Sequence, residues 1–292
     1  MISLIGNFLL GSVLVTASFA IIVRGNLRWW FFCLSSFAPF VAFSSLIYGF
    51  IVSDFSLRNV FFNSSSILPL IYKISAGWAS HEGSILLWFS MLSIVSLVYV
   101  RALKELKESQ EFAIIILAFI QILFGSFILF SSSPFTSFSF APEEGMGLNP
   151  MLQDMALSIH PPILYLGNVS YVALFVSGCL LLYRPEDKKY ILAISKLFSS
   201  FGLFMLTIGI GLGAWWAYRE LGWGGYWFFD PVENISLMPW LAGIALHHFV
   251  VVSARNGKFL RTTILLSKLV FLLTIYGTFV VRSGIVSSVH SF

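Results

Sequence analysis

Long apolar runs separated by short polar segments form the main pattern of this chain. An apolar run of about 20 residues is long enough to cross the hydrocarbon core of a bilayer as a helix. Eight runs reach or approach this length, which predicts an all-α, polytopic membrane bundle with about eight transmembrane helices. We treat residues 1–292 as a single integral membrane domain. The predicted spans are 3–23, 31–52, 84–100, 112–131, 161–183, 197–217, 237–254 and 262–281.

Composition agrees with this reading and excludes several classes of protein. Hydrophobic residues make up 58% of the chain and charged residues only 10%, far from the usual mix of a soluble domain. The net charge of +4 does not indicate nucleic-acid binding, because the basic residues form no patch. Cys33 and Cys179 both lie within apolar runs, and no CxxCH motif occurs. The chain is therefore neither disulfide-framed nor itself a c-type cytochrome.

The basic residues predict how the helices are oriented. Lys and Arg collect in connections on the cytoplasmic or equivalent side of a membrane. Of the 17 basic residues, 13 fall in or beside the connections on one side of the predicted bundle. Both chain ends then lie on the other, outer side, giving an N-out, C-out arrangement. The 13 residues are Arg24, Arg28, Arg101, Lys104, Lys107, Arg184, Lys188, Lys189, Lys196, Arg255, Lys258, Arg261 and Lys268.

One outer segment, the tryptophan-rich loop predicted over residues 214–240, holds five of the nine tryptophans. Its centre reads Trp-Gly-Gly-Tyr-Trp-Phe-Phe-Asp at residues 223–230. Glycine lets a backbone pass close to a ligand, and flat aromatic faces suit a large planar one. The alternative is an interfacial belt of aromatic side chains, which needs no ligand.

Two pairs of ionisable residues on the outer side have structural interpretations. Asp230, Pro231 and Glu233 have the spacing of a helix start, with Asp at the N-cap, Pro at N1 and a capping-box Glu at N3. We therefore expect this pair to build the corner between loop and helix. His81 beside Glu82 is either an acid/base pair or a helix start whose carboxylate suits the positive end of the helix dipole.

Two histidines on the outer side are candidate metal ligands. His160 precedes Pro161 and Pro162, and tandem prolines suit a first helical turn, which places the histidine at the start of the helix. The positive dipole end there favours the neutral imidazole that metal ligation requires. His290 follows the last span on the same side. Two neutral imidazoles on either side of a macrocycle hold haem iron, whereas a lone interfacial histidine is more often structural.

His247 and His248 lie within the seventh span. His248 is eleven residues beyond Leu237, about 16 Å along a helix. Ionisable groups at this depth are costly and usually functional. Because adjacent residues point about 100° apart, the two histidines cannot ligate one iron. The alternative is a histidine that is hydrogen-bonded to a neighbouring helix.

Four segments together carry a resemblance to a known family. They are GWASHEGSILLW at 77–88, HPPILYLGN at 160–168, WGGYWFFDPVENISLMPWLAGIALHHFVV at 223–251 and GTFVVRSGIVSSVHSF at 277–292. The sequence resembles the CcmF family of integral-membrane haem lyase subunits in cytochrome c maturation. It departs from the family in having Phe229 where a Trp is usual, and in stopping shortly after His290.

The resemblance implies two haem sites. His160 and His290 would ligate an outer-face haem, and His248 would be one of two ligands of an intramembrane haem b whose second ligand comes from another chain. His247 would have a packing role. The remaining residues implied at the outer site are Trp223, Gly224, Gly225, Trp227, Phe229 and Asp230.

The resemblance also implies a reaction and its partners. A haem chaperone would deliver haem, which would be attached covalently to the thiols of an apocytochrome c CxxCH motif, with electrons from a quinol. The chain would be the N-terminal portion of a divided protein in the mitochondrial inner membrane, with the tryptophan-rich loop facing the intermembrane space, or would lie in a bacterial plasma membrane. Two other hypotheses remain, namely a haem transporter or delivery platform without lyase activity and a structural subunit of a respiratory membrane complex.

Overall fold

The computed structural model describes residues 1–222, 224–282, 285 and 288. Eight helices within these residues are long and apolar enough to cross a membrane, which confirms the multi-pass helical bundle. Two shorter helices, α3 (Arg58–Asn63) and α4 (Leu70–Ala76), lie between the second and third spans. The eight long helices are α1 (Ile2–Ile22), α2 (Asn26–Ile51), α5 (His81–Ala102), α6 (Lys107–Ser131), α7 (Met155–Tyr183), α8 (Lys188–Glu220), α9 (Pro231–Asn256) and α10 (Leu260–Arg282).

Helix α8 is much longer than its predicted span of 197–217. Its 33 residues extend about 50 Å, whereas the hydrocarbon core of a bilayer is about 30 Å thick. Hydropathy locates only the apolar part, while the helical backbone bonds continue into polar and aromatic residues beyond it. The last turns of α8 therefore carry Trp215 and Tyr218 towards the connection to α9.

The predicted tryptophan-rich loop is accordingly shorter than 214–240. Helix α8 ends at Glu220 and α9 begins at Pro231, so only residues 221–230 connect them. We call these ten residues the aromatic connection. The other residues of the predicted loop are helical.

The chain divides into two compact units. Unit 1 comprises residues 1–97 and 114–159, and unit 2 comprises residues 98–113 and the chain from residue 160 onwards. In unit 1, Leu10, Val13, Phe50 and Phe89 are among the fully buried core side chains. The single membrane domain and the sidedness of the bundle both remain predictions.

Helix α7 is the centre of unit 2, and glycines set its spacing from its neighbours. A Cβ added to Gly167 would lie 2.7 Å from Leu206 of α8, and one added to Gly178 would lie 2.1 Å from Ser267 of α10. Small residues at such crossings allow membrane helices to pack backbone against backbone. This close packing determines the surroundings of His160.

Candidate functional site

The aromatic connection exposes its rings. Tyr226, Phe228 and Phe229 are all exposed, and Phe229 is exposed to 75%. The Tyr226 ring stacks on Tyr218 at the end of α8, with centroids 4.5 Å apart and planes at 13°. Trp227 is half-buried. The connection therefore offers an apolar surface of flat side chains, as the sequence predicts.

Backbone conformations that favour glycine shape the connection. Gly224 has a φ of 73°, and Phe229 has a φ of 59°. The left-handed region costs a residue with a Cβ about 1–2 kcal/mol, and such strain is concentrated at functional sites. The Asn234 side-chain amide donates to the Phe229 carbonyl at 2.9 Å, which helps to hold this turn.

A buried carboxylate corner fixes the end of the connection. Asp230 and Glu233 are only 8% and 7% exposed. The Asp230 carboxylate accepts from the backbone N–H of Val232 at 3.0 Å, and Glu233 Oε2 accepts from the N–H groups of Phe228 and Asp230 at 3.0 and 3.2 Å. The capping box predicted from the sequence is confirmed, so the two carboxylates hold the corner in place.

The chain after α10 reaches this corner. The Ser288 hydroxyl donates to Asp230 Oδ2 at 2.6 Å. His290, the second predicted outer ligand, lies outside the described residues, as does Trp223. Ser288 is thus the described residue nearest in sequence to His290, and it contacts a residue of the predicted site.

His160 lies in the second turn of α7, and the prediction that it stands at the helix start is wrong. The helix begins five residues earlier, at Met155, because the Asp154 carboxylate accepts from the N–H groups of Ala156 and Leu157 at 2.7 and 3.2 Å. Pro161 and Pro162 are therefore inside the helix. The dipole argument is weakened, and a different contact orients the histidine.

That contact is a hydrogen bond between helices α7 and α8. His160 Nδ1 lies 2.7 Å from the Gly209 carbonyl oxygen. A carbonyl can only accept, so Nδ1 carries the proton, and in the neutral ring Nε2 carries the lone pair. The ring also packs so closely on α8 that a Cβ at Gly213 would lie 2.6 Å from Cε1. Metal-ligating histidines are typically oriented in this way by a carbonyl or carboxylate at the other ring nitrogen.

Gly209 and Gly213 contact the His160 ring, and sequence reasoning missed both of them. They follow each other at i, i+4 on α8, so both face α7. Gly213 is seven residues before the end of α8, about 10 Å from the start of the aromatic connection along the helix. The glycine spacing in Gly-Ile-Gly-Leu-Gly over residues 209–213 is the signal that could have identified them.

His247 and His248 occupy different environments. His247 Nδ1 lies 3.0 Å from Ser199 Oγ on α8, so His247 makes the bond to a neighbouring helix that the sequence analysis left open. His248 is exposed on the surface of unit 2. It is eight residues before the end of α9 at Asn256, about 12 Å along the helix, and so lies in the half nearer the predicted basic side.

His81 and Glu82 begin helix α5. The Ser80 hydroxyl accepts from the Gly83 N–H at 3.0 Å and also bonds the Asn59 side chain. This N-cap confirms the helix-start interpretation of the pair, and His81 itself is exposed.

Comparisons with known proteins agree with the fold and with these motifs. A family model described as "Cytochrome C assembly protein" matches residues 78–286. The chain is 45% identical over 254 residues to the cytochrome c-type biogenesis protein CcmF of Haemophilus influenzae, covering 86% of this chain and 39% of that protein. It is 40% identical over 256 residues to CcmF of Escherichia coli, again covering 86% of this chain and 39% of the relative.

A solved structure agrees as well. The protein titled "Cytochrome c Heme Lyase CcmF" superposes with a TM-score of 0.83 at 27% identity, covering 97% of this chain and 48% of that one. The helical membrane fold is therefore that of a cytochrome c biogenesis protein.

The chain belongs to the cytochrome c assembly family, and within it to the CcmF proteins. It spans about two-fifths of the length of the curated relatives named above.

Proposed function

We propose that this chain handles haem in cytochrome c maturation and that, together with partner chains, it attaches haem covalently to apocytochrome c. The observation that carries the proposal is the His160 Nδ1–Gly209 hydrogen bond of 2.7 Å. It orients the imidazole ring through Nδ1, as in histidines that ligate a metal, on a helix that packs against the one leading into the aromatic connection. A haem ring has the size and flatness that exposed aromatic side chains suit.

Haem is the substrate in this proposal. His160 would hold one face of the iron, and His290 would hold the other. The Ser288–Asp230 contact of 2.6 Å supports a role for His290, because it brings the chain to the aromatic connection two positions earlier. Trp223, Gly224, Gly225, Trp227, Phe229 and Asp230 would form and support the shelf for the ring.

The chemistry requires positioning more than acid or base groups. Each thiol S–H of the CxxCH motif adds across a vinyl group of haem, so a C–S bond and a C–H bond form and no atom is lost. This chain would keep the vinyl groups beside the thiols while a haem chaperone supplies haem. Asp230 Oδ2 and Glu233 Oε2 accept from backbone N–H groups, whereas the buried Glu233 Oε1 has no partner among the described residues. The bonds to the backbone favour a structural role over proton transfer.

The intramembrane site of the proposal centres on His248. Its exposure on α9 fits a ligand that meets another polypeptide, here the chain carrying the C-terminal half of a divided CcmF protein. When bound there, a haem b would supply electron transfer, with a quinol as the donor. His247 is held by Ser199 and would keep its packing role.

The proposed location is the mitochondrial inner membrane, with the aromatic connection facing the intermembrane space. The plasma membrane is the alternative, and it fits the bacterial relatives. Cysteines introduced at Gly222 and Gly257 should react with impermeant reagents from opposite sides of the membrane. Labelling of position 222 from the basic side would overturn the orientation.

The central experiment is reconstitution of the chain with its partners and an apocytochrome carrying CxxCH. Covalently bound haem is measured by haem staining after denaturing electrophoresis, and attachment should depend on this chain. Equal attachment without the chain would contradict the proposal. Haem that is retained but never attached would indicate a delivery platform, and the absence of any haem spectrum would indicate a structural subunit.

The intramembrane part has its own test. In a His160→Ala background, which removes the proposed outer bis-histidine site, the chain purified alone should lack a bis-histidine b-type spectrum, and co-expression with the C-terminal half should restore it. A normal spectrum from this chain alone, lost in His248→Ala, would show that the site is not shared.

A further inference from the structure

Helix α7 carries a buried hydroxyl that no described residue satisfies. Tyr171 is 0% exposed, and its Oη has no hydrogen-bond partner among the described residues. Tyr99, also in unit 2 and 1% exposed, bonds Ser177 Oγ at 2.8 Å. Buried polar side-chain atoms nearly always have a partner, in protein or in ordered water. The Tyr171 hydroxyl therefore indicates a binding site for a small polar ligand.

Two glycines make room for the Tyr171 side chain. A Cβ at Gly202 of α8 would lie 3.1 Å from Cε1 of the ring, and a Cβ at Gly243 of α9 would lie 2.0 Å from Oη. The ring therefore lies between α8 and α9. Its hydroxyl occupies the place that a side chain of residue 243 would take.

The next polar side chain along that face of α9 is His247, one turn beyond Gly243. The Cβ positions of residues i and i+4 are about 5–6 Å apart. The Cα–Cβ bonds of a helix tilt towards its N-terminus, so the Cα–Cβ bond of His247 tilts towards the turn of Gly243, against which the Tyr171 hydroxyl lies. Both groups belong to the same inter-helix space.

The hydrogen bonds of His247 define what it offers to that space. The Ser199 hydroxyl donates to the Lys196 carbonyl at 3.0 Å, so its oxygen accepts from His247 Nδ1–H at 3.0 Å. In the neutral ring, Nε2 is then the acceptor. Asn168, one turn before Tyr171 on α7, has a buried Oδ1 that likewise lacks a partner among the described residues.

We propose that a buried water molecule binds between Tyr171 Oη, His247 Nε2 and Asn168 Oδ1. Two hydrogen bonds in series span about 5.6 Å, which is the separation that this arrangement requires between Oη and each of the two acceptors. The water accepts from Oη and donates to Nε2 and to Oδ1, so it has the two to four partners that a buried water needs. One hydroxyl, one neutral imidazole and one amide oxygen provide no net charge that would select an ion.

This site goes beyond the proposed function and does not depend on it. It links α7 to α9 through a polar bridge within the transmembrane part of unit 2. It also explains why α9 has a glycine at 243, since any side chain there would displace the hydroxyl and the water together.

The test is radiolytic labelling, in which a short X-ray pulse converts water, buried water included, to hydroxyl radicals that modify adjacent side chains. The full chain with its co-purifying partners is labelled in lipid nanodiscs and analysed by mass spectrometry. Tyr171 should be modified several-fold faster than Tyr99, which is equally buried but directly bonded to Ser177. Equal, background labelling of both tyrosines would overturn the proposal.

A variant tests the role of His247. Replacement His247→Phe keeps the ring shape but removes Nε2, and Tyr171 labelling should fall to the level of Tyr99. Undiminished Tyr171 labelling in this variant would show that the histidine does not hold the water. Tyr99 serves as the folding control, because its labelling rises if the variant unfolds, and the decision then rests on the comparison in the unsubstituted chain.

Discussion

Two regions of this chain gather aromatic side chains outside the transmembrane spans, and they use them differently. In unit 1 the phenylalanine cluster consists of Phe61, Phe62, Phe138 and Phe140, whose rings pack on one another. Phe61 meets Phe62 and Phe138 edge to face, with centroids 5.1 and 5.3 Å apart. Arg58 lies over Phe138 at 5.6 Å. This cluster fastens the short helices and loops of unit 1 together.

In unit 2 the aromatic connection turns its rings outward from a corner that backbone bonds hold rigid. Glu233 and Asp230 accept from the backbone there, and Phe229 remains 75% exposed in a left-handed conformation. Phe62 and Phe140 of the phenylalanine cluster are themselves 47% and 70% exposed, so exposure alone does not separate the two regions. The aromatic connection differs in that a left-handed residue and two buried carboxylates hold its backbone in place. The comparison teaches that an aromatic-rich loop is best judged by what holds it, because self-packed rings need no ligand.

The largest expected difference between the two units is found by replacing one histidine in each and comparing the effects on haem attachment. His160→Ala should lower covalent haem attachment by more than about 100-fold, because loss of a ligand exceeds the 10–100-fold effect of a ligand's supporting group. Haem staining of the mature cytochrome is the measurement. His81→Ala, at an exposed helix start in unit 1, is the matched control and should leave attachment nearly unchanged. Similar losses in both variants would refute a special role for unit 2.

Removing two aromatic rings from each of the two regions tests which region contributes to haem binding. The double variant Phe228→Ala, Phe229→Ala should weaken haem binding roughly tenfold, since an aromatic contact contributes about 0.5–1.5 kcal/mol beyond its buried area. Haem titration of the purified complex measures the change. Phe62→Ala, Phe140→Ala removes two rings from the phenylalanine cluster and should leave haem affinity unaltered, although it lowers stability. Equal haem affinities in the two double variants would contradict the proposal that the rings of the aromatic connection contact haem.

Replacing one glutamate in each unit compares the stability that a buried helix start contributes with that of an ordinary helix start. Glu233→Ala leaves the N–H groups of Phe228 and Asp230 without this acceptor. The Asp230 N–H is the buried one of the two, and an unsatisfied buried group costs about 1–3 kcal/mol. We expect a fall in stability of about 2 kcal/mol, measured by thermal unfolding in detergent. Glu82→Ala is the control and should change stability by less than about 0.5 kcal/mol, as for a surface substitution. A neutral Glu233→Ala would mean that the capping box does not hold the corner.

The smallest expected effect concerns pH and unit 1 alone. Hydrogen bonds from the Ser66 hydroxyl and backbone N–H, and then from the Gly145 N–H, lower the pKa of Glu144. The folded state therefore binds this proton less readily than the unfolded state. The stabilisation is present above the ordinary carboxyl pKa of about 4.3 and is lost as the pH falls through the lower, folded value.

Hydrogen exchange of the backbone around residue 145, followed as the pH is lowered, measures this effect. Ser66→Ala should bring the transition closer to the ordinary carboxyl range. The aromatic connection in unit 2 should show no change in the same experiment. A transition that is identical with and without the Ser66 hydroxyl would exclude this hydrogen bond as the cause.

Most of the fold could be predicted from the sequence because the length of an apolar run is a direct physical requirement of the bilayer. The corner could be predicted as well, since Asp230, Pro231 and Glu233 each suit one defined helix position. The start of α7 could not, because Pro161 and Pro162 fit a first turn well and only the tertiary fold shows that Asp154 caps the helix earlier.

The surroundings of the histidines could not be predicted from the sequence either. Hydropathy does not determine which face of α9 turns towards α8, so the contact of His247 with Ser199 and the exposure of His248 needed the packed helices. The orientation of His160 depends on the backbone carbonyl of Gly209. Every residue has such a carbonyl, so the residue types in the sequence do not reveal this contact. The paired ligand His290 stays a prediction outside the described residues.

Gly213 has no functional group, yet a Cβ there would lie 2.6 Å from the His160 ring. In a saturation mutagenesis screen scored on cytochrome c, substitutions at this glycine would therefore score like loss of the histidine. Gly211, two residues earlier, has open space around the position of its missing Cβ and would tolerate alanine. On the function proposed above, a geneticist who met a missense change at position 213 would thus have grounds to class it with substitutions of His160.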